Sequence, residues 1–269
     1  MVARKIVKLL LVMLCVGFML SGCGKKTDTS NVIRVGTIAG PDVELMQVVK
    51  KVARDDYGLD VEVVVFQDYN QPNAALADGQ IDANVFQHDP FLKEDMKAHG
   101  YHLASIAKTF IYPMGIYSKR YDDLGEIDDG ETIALPDDPS NQARALLLMQ
   151  QAGLITLKNG GSITSTLTDI VDNPYDLQFK LMKANDLVSV LPNVGLAVIN
   201  ANFAVEAGLY PNRDALYMED QDSPYANVVV VRASDRNNQN VQYLVDALHS
   251  PEVEDAAQRI FHGQVIEAW

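Results

Sequence analysis

The chain is short of cysteine, with two among 269 residues, Cys15 and Cys23. Both fall in its first 23 residues, so everything beyond them must be held by an ordinary core rather than by disulfides, and contains no thiol nucleophile. Positive charge is also scarce. Twenty-two Lys and Arg stand against 36 Asp and Glu, a net charge of −14, which argues against a nucleic-acid partner that would need a basic footprint. The five histidines, His88, His99, His102, His249 and His262, form no HExxH. The pair in "HGYH" spans Gly100, a poor residue for a helical pair, so a metal centre is not expected. There is no G-x-S-x-G, and His88 and Asp89 are adjacent residues that do not face each other on a helix, so a catalytic pair is not expected there either. No repeat of fixed period and no low-complexity segment is present.

The longest apolar run, Leu9 to Leu20, is shorter than the roughly 20 residues that span a bilayer. With Arg4, Lys5 and Lys8 before it, the run fits a secretory signal peptide over residues 1–22. Leu20-Ser21-Gly22-Cys23 then resembles a bacterial lipobox, which implies cleavage before Cys23 and a lipid on its thiol. Removing 22 residues leaves 247, with 19 basic against 36 acidic side chains and a net charge of −17. Residues 23–31, ending in the polar "GKKTDTSN", read as a lipidated tether that keeps the body close to a membrane.

From Val32 onward short β-branched runs alternate with helical spacing. "VIRVGTI" (32–38), "VEVVVF" (61–66) and "DANVF" (82–86) read as strands. Helices are expected from Val43 to Gly58, around Asn73–Leu76, and over "HDPFLKEDMKAHG", where Pro90 fits the first turn. This βαβα order predicts a parallel α/β sheet. An extended segment, Leu103 to Tyr117, leads to a second set: "TIALP", the helix of "SNQARALLLMQQAG", "DLQFKLM" and "GLAVIN". "NVVVVR" (227–232) reads as a strand returning to the first set, and helices near 241–248 and 253–261 close the chain. The expectation is two α/β lobes joined by crossing strands, with lobe 1 over 32–110, lobe 2 over 111–205 and a return to lobe 1 over 206–269.

Four stretches carry candidate chemistry. In "PDDPSNQARALLL", Asp138 can cap a helix with Pro139 at its first position, and Asn141 and Arg144 share a face near that N-terminus. Unpaired backbone N–H groups and a guanidinium fork suit a carboxylate; a surface Arg pairing with Asp137 or Asp138 would read the same way. "AVINANFA" places Asn200 and Asn202 beyond an apolar strand, where open α/β sheets bind ligands, although Asn is also ordinary turn chemistry. Asn227 begins "NVVVVR" under the same two readings. Tyr69, Phe86 and Tyr112 suit a core or, if they converge, an apolar slot that would take a thioether at its ring edges. "DANVFQHDPFL" becomes a strand-to-helix junction, with Phe86 on a pocket wall and His88 hydrogen-bonding.

Together "LSGCG", "YGLDVEVV", "FQDYNQPNAAL", "DANVFQHDPFL", "YPMGIYS", "DPSNQARALLL", "NPYDL", "AVINANFA" and "SPYANVVVVR" resemble the methionine-binding lipoproteins of ABC importers, the MetQ/NlpA family. The resemblance covers nearly the whole chain in order. It implies a bilobed periplasmic-binding-protein fold closing on methionine in the cleft. It also implies delivery to a membrane permease with a cytoplasmic ATPase, and an exported protein anchored to the membrane through Cys23. By motif the pocket residues are Tyr69, Phe86, His88, Tyr112, Asn141, Arg144, Asn200 and Asn227, with Arg144 on the carboxylate, and with no catalytic residue, metal or cofactor. On this reading removing Arg144 weakens binding and hardly changes the ligand-free stability. A methionyl dipeptide or another apolar amino acid is the alternative ligand, and a lipid-anchored enzyme on this fold the alternative function. Two positions depart from the family pattern: Asn193 stands where an Arg is common, and Asp137 replaces a frequent Asn.

Overall fold

The computed structural model describes residues 31–220 and 223–269. The expected signal segment, Cys23 and the tether up to Ser30 lie outside the described residues. The first stretch runs β1 (Val32–Ile38), α1 (Pro41–Tyr57), β2 (Asp60–Phe66), α2 (Pro72–Ala77), β3 (Ala83–His88), α3 (Asp89–His99) and β4 (Leu103–Ile111). The second runs β5 (Gly115–Tyr117), β6 (Thr132–Pro136), α4 (Pro139–Gln151), β7 (Thr156–Leu157), β8 (Ile170–Asp172), β9 (Gln178–Met182), α5 (Leu187–Val190) and β10 (Leu196–Ile199). It continues through α6 (Ala201–Glu206), α7 (Pro211–Asp214) and β11 (Tyr217–Met218). β12 (Ala226–Arg232), α8 (Gln239–Leu248), α9 (Pro251–Ile260) and β13 (Ile266–Glu267) complete the chain.

Helix boundaries follow local chemistry. Pro41, Pro72, Pro90, Pro139 and Pro251 each sit in the first two positions of a helix, where a missing N–H leaves no bond unmade. Gly58 and Gly100 end α1 and α3 in the left-handed conformation, at φ 64° and 70°, which glycine adopts without steric cost.

Two large sheets form, in the orders β13-β4-β12-β3-β1-β2 and β11-β5-β10-β6-β9, with β7 and β8 paired apart as a two-stranded ribbon, and the large sheets are the two lobes of a bilobed fold. β1 pairs in parallel with both β2 and β3, while β12 returns antiparallel between β3 and β4. In the second sheet β6 is parallel to β9 and β10. The extended segment expected over Leu103–Tyr117 divides at residues 112–114, one strand going to each sheet. The second sheet holds the chain past residue 205, because Tyr217 and Met218 pair with Ile116 and Gly115. Residues 206–218 therefore stay with that sheet, and the return begins at β12.

Each sheet has its own apolar core. α1, α8 and α9 pack Val49, Leu244 and Val253 against Val35 and Val229, and α4 packs Leu146 and Met149 against Ile133 and Val198. A third cluster draws on both lobes, with Ile38, Phe86 and Phe91 from the first meeting Tyr117, Ile199 and Phe203 from the second. That cluster closes the cleft from the apolar side.

Candidate functional site

One cavity of about 410 Å³ of atom-free space, its mouth included, opens at the carboxyl ends of the parallel strands. Tyr69 follows β2, Phe86 and His88 end β3, Tyr112 follows β4, Asn141 and Arg144 lie in α4 beyond β6, and Asn200 follows β10. Asn227 enters from antiparallel β12, directly opposite His88. All eight candidate residues line this cavity, together with Asp42, Gln87, Phe91, Ala201 and Asn202. Asn193, in contrast, is exposed in the turn after α5, and Asp137 is exposed ahead of α4; neither lines the cavity.

The hydrogen bonds fix which end of each amide faces which way. Backbone N–H of Phe91 donates to Nδ1 of His88 at 3.2 Å, so the imidazole proton belongs on Nε2, which donates to Oδ1 of Asn141 at 3.2 Å. Asn200 donates through Nδ2 to the same oxygen at 2.9 Å. The Asn141 Nδ2 donates in turn to the Asp138 carboxylate at 3.0 and 3.1 Å. Asp138 also caps α4 by accepting from the Asn141 N–H at 2.9 Å. This relay leaves Oδ1 of Asn200 buried, an acceptor with no donor among the described residues. On the other side Tyr69 donates to Oδ1 of Asn202 at 2.6 Å, leaving Nδ2 of Asn202 a buried donor without an acceptor. An open acceptor and an open donor in one cleft suit a ligand carrying both an ammonium and a carboxylate.

Arg144 is 4% exposed, and its partner is neither Asp137 nor Asp138. Nε and Nη2 donate to Glu219 at 2.7 and 2.5 Å, and Nη2 also donates to the carbonyl of Tyr112 at 2.8 Å. The guanidinium lies 4.6 Å from the ring centroid of Tyr225, within cation–π range. Burial works against the Arg144 charge, and Glu219 outweighs it, so its pKa is raised. Glu219 accepts from the Met114 N–H at 2.9 Å. Tyr112 and Met114 lie where the chain first crosses between sheets, and Glu219 and Tyr225 where it crosses back. Arg144 therefore braces both crossings while its Nη1 has no protein partner among the described residues. The sequence reading missed Glu219, which lies 75 residues from Arg144 with no local signal.

Tyr69, Phe86 and Phe91 form a ring cluster with centroids 5.8 to 5.9 Å apart, and Phe203 joins Tyr69 at 5.0 Å. Beneath them Asn73, Asn84 and Gln87 exchange buried amide hydrogen bonds, which hold β3 against α2. The sequence reading missed Asp42, in the first turn of α1 after β1, and Gln87, which lies within the "DANVFQHDPFL" stretch already singled out.

Burial lowers the His88 pKa to about 3, with the Arg144 charge adding to the effect. Burial raises that of Asp42 to about 7, with Glu206 contributing. Below pH 6.5 the unfolded chain binds a proton at His88 that the folded protein refuses, so that contribution to stability is lost as pH falls from 6.5 towards 3. Asp42 acts oppositely: its contribution is full below pH 3.8 and is lost as pH rises through about 7. Between pH 4 and 6 the two offset each other. His88→Gln is expected to leave Asp42 unopposed, so the variant gains on wild type by roughly 1.4 kcal/mol per pH unit as pH falls through that window. Urea unfolding of both proteins at several pH values measures this, and parallel curves would disprove it.

The profile of the family described as NlpA lipoprotein matches residues 33–269. The D-methionine-binding lipoprotein MetQ of Salmonella typhi is 45% identical over 252 residues, 93% of each chain. Among solved structures, an ABC transporter periplasmic substrate-binding protein from Coxiella burnetii is similar with a TM-score of 0.85 at 52% identity, covering 88% of this chain and 100% of that one. A nutrient-binding protein from Burkholderia cenocepacia, bound to methionine, has a TM-score of 0.86 at 45% identity, again covering 88% and 100%.

Proposed function

The chain belongs to the NlpA lipoprotein family, and on that footing we propose that it captures methionine in its cleft and hands it to an ABC import permease driven by a cytoplasmic ATPase. The observation that carries this reading is the pair of orphaned amide groups, Oδ1 of Asn200 and Nδ2 of Asn202, facing one cavity beside Arg144 and the aromatic cluster. Arg144 through Nη1, with Asn202, serves the ligand carboxylate. Tyr69, Phe86 and Phe91 take the thioether chain, since sulfur packs favourably at ring edges. His88, neutral and locked by two hydrogen bonds, positions Asn141 and Asn200 and performs no chemistry, so the ligand leaves unchanged. Asn227 and Tyr112 wall the cleft where the chain crosses between lobes.

Tyr69 with Asn202, and His88 with Asn141, join the first lobe to the second. A ligand reaching both sides favours this closed arrangement. Mass spectrometry of the natively purified protein is expected to find methionine released on denaturation. Added methionine is expected to stabilise the stripped protein by about 2.7 kcal/mol at a hundredfold excess over Kd. Release of a methionyl dipeptide or another apolar amino acid instead, with no response to either enantiomer of methionine, would reject the assignment.

Cys23 follows Leu20-Ser21-Gly22 and on this reading carries the lipid that holds the exported protein at the membrane. Cys23→Ala is expected to move the protein from the membrane to the soluble fraction with its unfolding curve unchanged. Retention after a salt wash would rule out the lipid anchor.

A further inference from the structure

Asp42 is the one carboxylate among the described residues lining the cavity, and it is unlike the two behind it. Asp138 accepts from Ser140 and from both nitrogens of Asn141, and Glu219 is occupied by Arg144 and Met114. Asp42 is 9% exposed and has no hydrogen bond or ion pair to its carboxylate among the described residues. Its place in the first turn of α1 offers free backbone N–H groups, a common reason for an acidic residue there. None of those groups donates to it. An adjoining recess that shares Asp42 has Leu45, Val85 and Phe110 in its wall. Glu206 of α6 reaches over from the second lobe, with its Cδ 3.0 Å from where a Cβ on Gly40 would stand. The recess also holds Thr37 and Thr109, neither of which bonds to Asp42, and burial together with the like charge of Glu206 pushes the Asp42 pKa up to about 7.

A nine-tenths buried carboxylate that its own protein leaves unpaired is costly to keep ionised. Arg144, the cation on this wall, is already committed to Glu219.

We propose that Asp42 is the specificity residue for the ligand's amino group: its carboxylate, with Oδ1 of Asn200, holds the α-ammonium of the bound amino acid. This rests on the cleft being an amino-acid site and adds how it rejects molecules without a free amine. Arg144 and Asn202 retain the carboxylate whether or not an amine is present. Asp42 makes binding conditional on the amine. A des-amino analogue leaves Asp42 to be buried unpaired or protonated, and an N-acylated one adds bulk where the carboxylate stands.

The test compares methionine with 4-(methylthio)butanoate, its des-amino analogue, by calorimetry at pH 8 in wild type, Asp42→Asn and Asp42→Ala. Wild type is expected to prefer methionine by roughly 30-fold or more, the scale of a buried charge pair losing one partner. Both variants are expected to lose methionine affinity by a similar factor while binding the analogue within about threefold of wild type, so that the preference collapses. Their ligand-free melting temperatures are expected to equal or exceed that of wild type, because a desolvated carboxylate has gone. If the variants keep the preference, or lose both ligands equally, the assignment of Asp42 is overturned. If wild type binds no methionine, the reading of the cleft fails first, visible without any variant, and Asp42 loses its role with it.

Discussion

Arg144→Ala is expected to abolish measurable methionine binding and also to destabilise the ligand-free protein by about 3–5 kcal/mol, the range for removing one partner of a buried ion pair. The sequence reading expected weakened binding and hardly any change in ligand-free stability. The difference is Glu219, buried with Arg144 and bonded through both carboxylate oxygens. Without the guanidinium, Glu219 keeps only the Met114 N–H and the carbonyl of Tyr112 loses its donor. Both losses fall where the chain crosses between lobes, so stability and closure suffer together. The loss of the ligand's own contact adds roughly 2–5 kcal/mol to binding. Urea unfolding and calorimetry separate the two effects. The pair Arg144→Met with Glu219→Gln is expected to recover much of the stability, because no unpaired charge remains, yet none of the binding. A single variant as stable as wild type would show that the pair does not brace the crossings.

Phe86→Ala is expected to cost about 3–5 kcal/mol of stability, as for other buried Phe truncations. Phe86 is 6% exposed and belongs to the apolar cluster that takes residues from both lobes. Removing its ring leaves Tyr69 and Phe91 without their shared neighbour and opens space in the cleft beside them. The ligand then loses a ring contact worth about 0.3–1.5 kcal/mol for a thioether. Methionine affinity should fall accordingly, while an amino acid with a bulkier apolar side chain loses less or gains. Chemical unfolding and a binding series across apolar amino acids measure both parts. Unchanged stability would place the ring outside the core, and an unchanged affinity order would remove it from the ligand slot.

Much of this protein was legible locally. Proline in the first turn and glycine after the last located helix ends, because those signals act through the residue's own backbone. β-branched runs located strands, and the motifs around them supplied eight of the thirteen residues that line the cleft. The β12 strand was readable as returning, but its register was not. That register sets Asn227 opposite His88, and it depends on how β12 fits between two neighbours.

The amino-acid sequence determined which side chains stand at the ends of the strands, since alternation and capping are short-range properties. Only the tertiary structure decided which of their polar groups are satisfied. The Asn141 amide is consumed by Asp138, His88 and Asn200, and Arg144 is matched to Glu219 from 75 residues away. Oδ1 of Asn200 and Nδ2 of Asn202 are left over. The physical reason is that a hydrogen bond or an ion pair depends on atoms meeting within about 3 Å in a desolvated place. Residue type fixes what each group can donate or accept, and folding alone fixes whether a partner is there.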